Sequence, residues 1–225
     1  MGSVHNSLRA HREKGMALLL CVLLLAALSL VAIAGAGDSR IQVRVAGNVS
    51  AERDARRAAE SALAWAESWL HGLDGSAQPA PCPPDCGPGN PILAVDQLPP
   101  LVEHQSETWW LDNALADGID PLSGTRLAER GRSLGPVGRW LIEEVHFEPA
   151  GQNGSGSPAV TYYRVIARAT PRTAGTPVVV ESIIARPWGD TRWRGAFPGG
   201  PGTPAYCIGI AVPAHCGRMA WRRKL

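Results

Sequence analysis

The sequence lacks every short signature that would announce catalysis: no Gly-x-Ser-x-Gly, phosphate loop, His-Glu-x-x-His or dinucleotide fingerprint occurs. It also lacks net charge. Its 22 basic and 20 acidic residues leave +2, so global electrostatics select neither a nucleic acid nor any other partner. Phe is scarce (two) against eight Trp, and Trp suits a small core or a contact surface, because it brings large area and one polar handle. Two local absences say more. No charged residue stands between Met16 and Gly37, and no Pro between Met16 and His71.

The uncharged run, MALLLCVLLLAALSLVAIAGAG, has 22 residues. As a helix it is about 33 Å long, enough to cross a hydrocarbon core of about 30 Å. A core helix of a soluble protein rarely stays apolar all round for six turns. A cleaved signal peptide usually has an apolar region of only about 7–15 residues, although Ala32-Ile33-Ala34 fits a small-x-small cleavage site. Basic residues flank the run on both sides, so orientation rests on the long C-terminal part, which translocates largely regardless of charge.

Beyond Gly37 the text turns amphipathic. Apolar residues recur at Ile41, Val45, Val49, Ala55, Ala59, Ala62, Ala66 and Trp69-Leu70, mostly three or four apart, with charges between them. That is the helical period with a narrow, Ala-rich face, which another packed element can approach closely. His71-Gly72, then Gly75 and Pro79, supply the stop. The pattern predicts one near-continuous helix of roughly 55 residues, on the order of 80 Å long.

The rest reads as a loop-rich head. Gly72–Pro100 is an irregular stretch, and His104–Leu115 a short helix that buries Trp109 and Trp110. Three runs follow as strands: Gly138–Phe147, a half-exposed Tyr162–Ala169, and Val178–Ser182, joined by turn-rich loops. They make an antiparallel β-meander over about 138–186. From Pro187 on, the chain reads as loop. Glu143 and Glu144, neighbours on a strand, face opposite sides and are poor partners for acid–base work.

Four cysteines (Cys82, Cys86, Cys207 and Cys216) lie beyond the apolar run, and an even number in an oxidising compartment implies two disulfides. Of three pairings, Cys82–Cys86 and Cys207–Cys216 are preferred because each closes locally. Cys21 lies within the apolar run as a small apolar residue. Zinc is disfavoured by the spacing, although Cys86 and His215 are conceivable ligands; the six His show no ligand pairing. No cofactor is called for. The interleaved bases and aromatics of the tail (Trp188, Arg192, Trp193, Arg194 and Phe197; Trp221, Arg222, Arg223 and Lys224) match the chemistry of single-strand nucleic-acid contact, against the plainer reading of loop-anchoring Trp and a solvated basic terminus.

A charged leader, Gly15, and an apolar helix opening abruptly at Met16 resemble the type IV prepilin signal. Ala46-Gly47-Asn48, with Ala58-Ala59-Glu60 twelve residues on, is similar to the AGN…AAE signature of PilX-type minor pilins. The segments 162–168 and 178–182 are similar to strands of that family. The resemblance covers roughly residues 12–70 and 160–186. It implies an α+β, pilin-like fold: leader 1–15, transmembrane helix 16–37, its amphipathic continuation 38–71, and a head, 72–225, containing the meander and a C-terminal loop bounded by Cys207–Cys216. It implies cleavage between Gly15 and Met16 by prepilin peptidase, N-methylation of Met16, and residence in the inner membrane with a periplasmic head, then in the extracellular pilus (fimbrium). The implied partners are other minor pilins and the major pilin, met through the N-terminal helix, with a surface or DNA ligand a further option.

Two departures matter. Leu20 stands where major pilins of the family carry a Glu, which suits a subunit with none ahead of it, at the filament tip. Arg56-Arg57 replace residues that are usually aromatic or Gln. The resemblance therefore implies a minor pilin that primes type IV pilus assembly, not an enzyme. The alternatives are a type II secretion pseudopilin, a tip adhesin or DNA-contacting subunit, and a membrane-anchored periplasmic enzyme.

Overall fold

A computed structural model describes residues 5–82, 91–121, 136–152, 156–172, 175–190, 192, 207 and 215–224, with side chains described outside 5–15 and 34–40. The protein is α+β, with an N-terminal apolar helix and a mostly antiparallel sheet. The first helix, α1, runs His5–Gly72, through Asp38. The chain divides into two compact units, Met1–Val49 and Ser50–Leu225.

The first unit is helix. Residues 16–33 are exposed throughout and are long and apolar enough to cross a membrane by length and composition. The one hydroxyl in this stretch is satisfied within the helix: Ser29 Oγ donates to the Leu25 carbonyl at 2.7 Å. Such internal pairing is what lipid demands of a polar group.

The second unit is built on a sheet with helix on one face and a looped layer on the other. The strands are β1 (Ile92–Leu93), β2 (Leu115–Ala116), β3 (Arg139–Glu148), β4 (Ala159–Ala169), β5 (Val178–Trp188) and β6 (Gly217–Lys224). Their order is β1-β3-β4-β5-β6, with β2 also on β3. β3, β4 and β5 form the expected meander, in long antiparallel ladders. Two-residue β1 adds a parallel pair, Ile92 opposite Ile142.

Alternation assigns the two faces. On one, Trp140, Ile142, Tyr163, Val165, Ala167, Val180 and Ile184 meet Ala55, Ala59, Ala62, Leu63, Ala66 and Leu70 of α1 in a single core. The small side chains set the separation. A Cβ on Gly138 would sit 2.3 Å from the Ala58 carbonyl oxygen and 2.7 Å from Ala62 Cβ, so only Gly fits there. The Ala-rich face of the helix thus serves its own head.

The opposite face corrects the reading of β4 as half-exposed. Leu141, Ile166 and Val179 are covered by Leu98, Val102, Trp110 and Ala114, and Arg168 is buried. That cover is a 3₁₀ turn (Val102–His104) followed by α2 (Glu107–Asn113), shorter than the expected His104–Leu115. Ser106 caps α2, accepting from Trp109 N at 3.1 Å. Trp110 is fully buried and donates to the Val102 carbonyl at 3.2 Å, while Trp109 is half-buried rather than buried. Arg168 lies over the Trp110 ring at 5.6 Å and pairs with Glu107 at 2.8 Å, which satisfies a charge that a polar face would have left in water.

The C-terminal reading is corrected too. β5 continues through Pro187 and Trp188, and residues 217–224 form a strand rather than a loop. β6 pairs with β5 only from Val179 to Ala185. Pro187 lies past that ladder, at an edge where a missing N–H is tolerated.

Candidate functional site

Strand β6 is held by charge. Its outer residues, Met219 and Trp221, are 45% and 43% exposed, and little of it is buried. Its bases, however, each reach a carboxylate on another element. Arg222 lies 2.7 Å from Glu181, and Arg223 2.7 Å from Glu52 of α1. Lys224 lies 3.1 Å from Glu103 and 3.2 Å from Glu181. Arg218 forks onto Glu67, its Nε donating to Oε1 at 3.0 Å and Nη2 bonding Oε2. Two of these acids are buried. Glu67 also accepts from Ser182 Oγ at 2.6 Å, and Glu181 is shared with Arg164 at 3.1 Å. Buried carboxylates need such partners, because burial without one is costly.

Beside the end of β6 a recess of about 410 Å³ opens between the sheet and the loop that leads into the 3₁₀ turn. Glu103, Glu143, Arg164 and Lys224 line it. Two residues of the loop, Asp96 and Leu101, adopt left-handed backbone, with φ of 61° and 55°. Burial raises the Glu143 carboxyl above the usual carboxylate range, outweighing Arg164 at 3.3 Å. Glu103 moves the other way: burial opposes its charge, but its own backbone N–H and Lys224 lower it overall. Glu144 points away from Glu143 and accepts from Gln78 at 2.8 Å, so the two acids are separated by the sheet.

His71 is buried where α1 meets the sheet, and its pKa falls to about 3, first through burial and then through Arg186 and Arg218. The hydroxyl–carboxylate contact described in this layer, Ser182 on Glu67, is buried between helix and sheet. Among the described residues no group of three or more His, Cys, Asp or Glu is placed to hold a metal ion. The arrangement binds strands together; its chemistry is ion pairing.

The residues singled out in sequence do not form one site. Met16 and Leu20 are exposed on the apolar helix, Leu20 at 55%, and Gly15 lies in the same helix. Ala46, Gly47 and Asn48 are exposed in the first unit, with open space in front of Gly47. Ala59 is fully buried in the head core, Ala58 packs against that core, and Glu60 accepts from Arg56 at 2.8 Å. Cys207 and Cys216 form a disulfide, and Cys82 is disulfide-bonded; Cys86 lies outside the described residues, and Cys21 is free. Three of the four head cysteines are therefore oxidised rather than available as thiolate ligands.

The described tail bases each pair with an acid, although Arg192 and Arg222 stay largely exposed. Arg192 bonds Asp190, and Trp188 is buried with its Nε1 donating to Thr161 at 3.0 Å. Trp193, Arg194 and Phe197 lie outside the described residues. What sequence reasoning missed is β6. Its residues show no period-two alternation: Met219, Ala220 and Trp221 are a three-residue apolar run between Arg218 and Arg222, too short and too charged at its flanks to read as a strand. No family model, characterised protein or solved structure matches this chain.

Proposed function

We propose that this protein is a minor pilin of the PilX type, a single-pass inner-membrane subunit that primes type IV pilus assembly and occupies or approaches the filament tip. One observation carries the reading: a single helical element, His5–Gly72, contains both the membrane-length apolar run and the Ala-lined residues that form the core of the head. A cleaved targeting peptide has no need of helical continuity into the mature domain, whereas a filament subunit uses it. The Cys207–Cys216 disulfide supports a head in an oxidising compartment, here the periplasm. Leu20 supports the tip position. A carboxylate there would need a partner in lipid, and a subunit with no neighbour ahead has none to offer. Its work is non-covalent: packing of the apolar helix against other pilins and presentation of the head.

The test is intact-mass spectrometry of the protein from cells with and without prepilin peptidase. The expected product is residues 16–225, N-methylated on Met16 and seen only with the peptidase. A full-length chain, or a cut near Ala34, overturns the proposal. The secretion-pseudopilin reading shares that cleavage and is separated by gene neighbourhood.

A further inference from the structure

We propose that β6 is an exchangeable strand, and that its seat on β5 accepts Gly217–Lys224 of a second copy of this chain. Four observations meet here, none of which depends on the filament reading. First, β6 is the last strand of the sheet, bonded to β5 alone among the described strands. Second, little apolar surface holds it: its central residues, Met219 to Arg223, are exposed. Third, its seat is an acidic cradle. Glu52 and Glu67 from α1, Glu103 from the cover and Glu181 from β5 receive Arg223, Arg218, Lys224 and Arg222. A basic strand is selected by that charge pattern, and the same strand from another copy reproduces every pair and every ladder bond. Fourth, residues 189–216 separate β5 from β6, far more than the two to five or so that join adjacent antiparallel strands in a hairpin. No hairpin turn therefore joins β6 to the strand it pairs with. Exchange of an identical element between copies conserves contacts and is a low-cost route to association. Screening of the exposed pairs by salt loosens the strand and speeds exchange.

The experiment uses the full chain in detergent micelles with Cys21→Ser throughout. Ile183 and Ala220 are directly opposite across β5 and β6, and Ala220 is exposed. Ile183→Cys is placed in a copy with one tag and Ala220→Cys in a copy with another, and the two are mixed under mild oxidation. The expected result is a disulfide-linked dimer carrying both tags, formed faster after incubation in high salt. In copies carrying both substitutions the cysteines bridge within one chain, and mixing such locked copies loses the two-tag band. The proposal is overturned if the mixed sample gives no two-tag band while the double variant closes its own bridge. It is equally overturned if the band is no stronger than that from two Ala220→Cys copies, which measures chance collision. Should the double variant also fail to bridge, the β5–β6 register is wrong and the proposal falls with it.

Discussion

Gly138→Ala is the sharpest probe of how the head is joined to its helix. The added Cβ meets the Ala58 carbonyl oxygen at 2.3 Å and Ala62 Cβ at 2.7 Å, and the first of these is backbone that no rotamer can move aside. Overpacking of this kind costs about 1–3 kcal/mol. Against it stands the gain from a less flexible unfolded chain, about 0.4–1 kcal/mol for Gly→Ala at an unobstructed site. The net expectation is destabilisation by about 1–2 kcal/mol, or a fall in Tm of roughly 2–8 °C for a domain of this size. Urea unfolding followed by Trp fluorescence in detergent reads it directly, with midpoint shifted and slope unchanged. Adding Ala62→Gly removes the side-chain clash but not the carbonyl clash, so rescue is partial. A neutral or stabilised Gly138→Ala variant would refute the close helix–sheet approach.

Two further outcomes follow from the buried charges. Arg218→Met leaves Glu67, 4% exposed, with Ser182 but no cation. Breaking a fully buried pair costs about 3–5 kcal/mol, and the partial exposure of Arg218 reduces the expected loss to about 1–3 kcal/mol. Glu67→Gln in the same chain restores most of it, which a double-mutant cycle measures. His71 sets an acid limb. Its folded pKa of about 3 lies below the unfolded value near 6.5, so the unfolded state takes up the proton first as pH falls. The stabilisation is complete above about pH 6.5 and is lost progressively towards pH 3, by about 2 kcal/mol at pH 5. His71→Gln flattens that limb in unfolding curves taken across the range.

Much of this architecture is readable from residue order, because its largest parts obey local rules. The apolar run and the Ala55–Ala66 period specify α1, and β3 to β5 announce themselves through Val, Ile and Tyr between turn residues. The missed parts depend on distant partners. Nothing near Arg168 in sequence says that Trp110 and Glu107 will cover it, so β4 reads as half-exposed. β6 reads as a solvated basic tail because the carboxylates that neutralise it, Glu52, Glu67, Glu103 and Glu181, are scattered along the preceding chain. β1 and β2, at two residues each, are too short for any period to register. The candidate site was thus visible as composition and invisible as geometry.

The burial of every alanine on the inner side of the helix decides what its outer side can offer. Ala55, Ala59, Ala62 and Ala66 are spent within the molecule, leaving Glu52, Arg53, Asp54, Arg56 and Arg57 turned to solvent. A neighbour approaching this stretch meets a ridge of mixed charge, not a greasy seam. Recognition along it is set by matching of signs and fades as ionic strength rises.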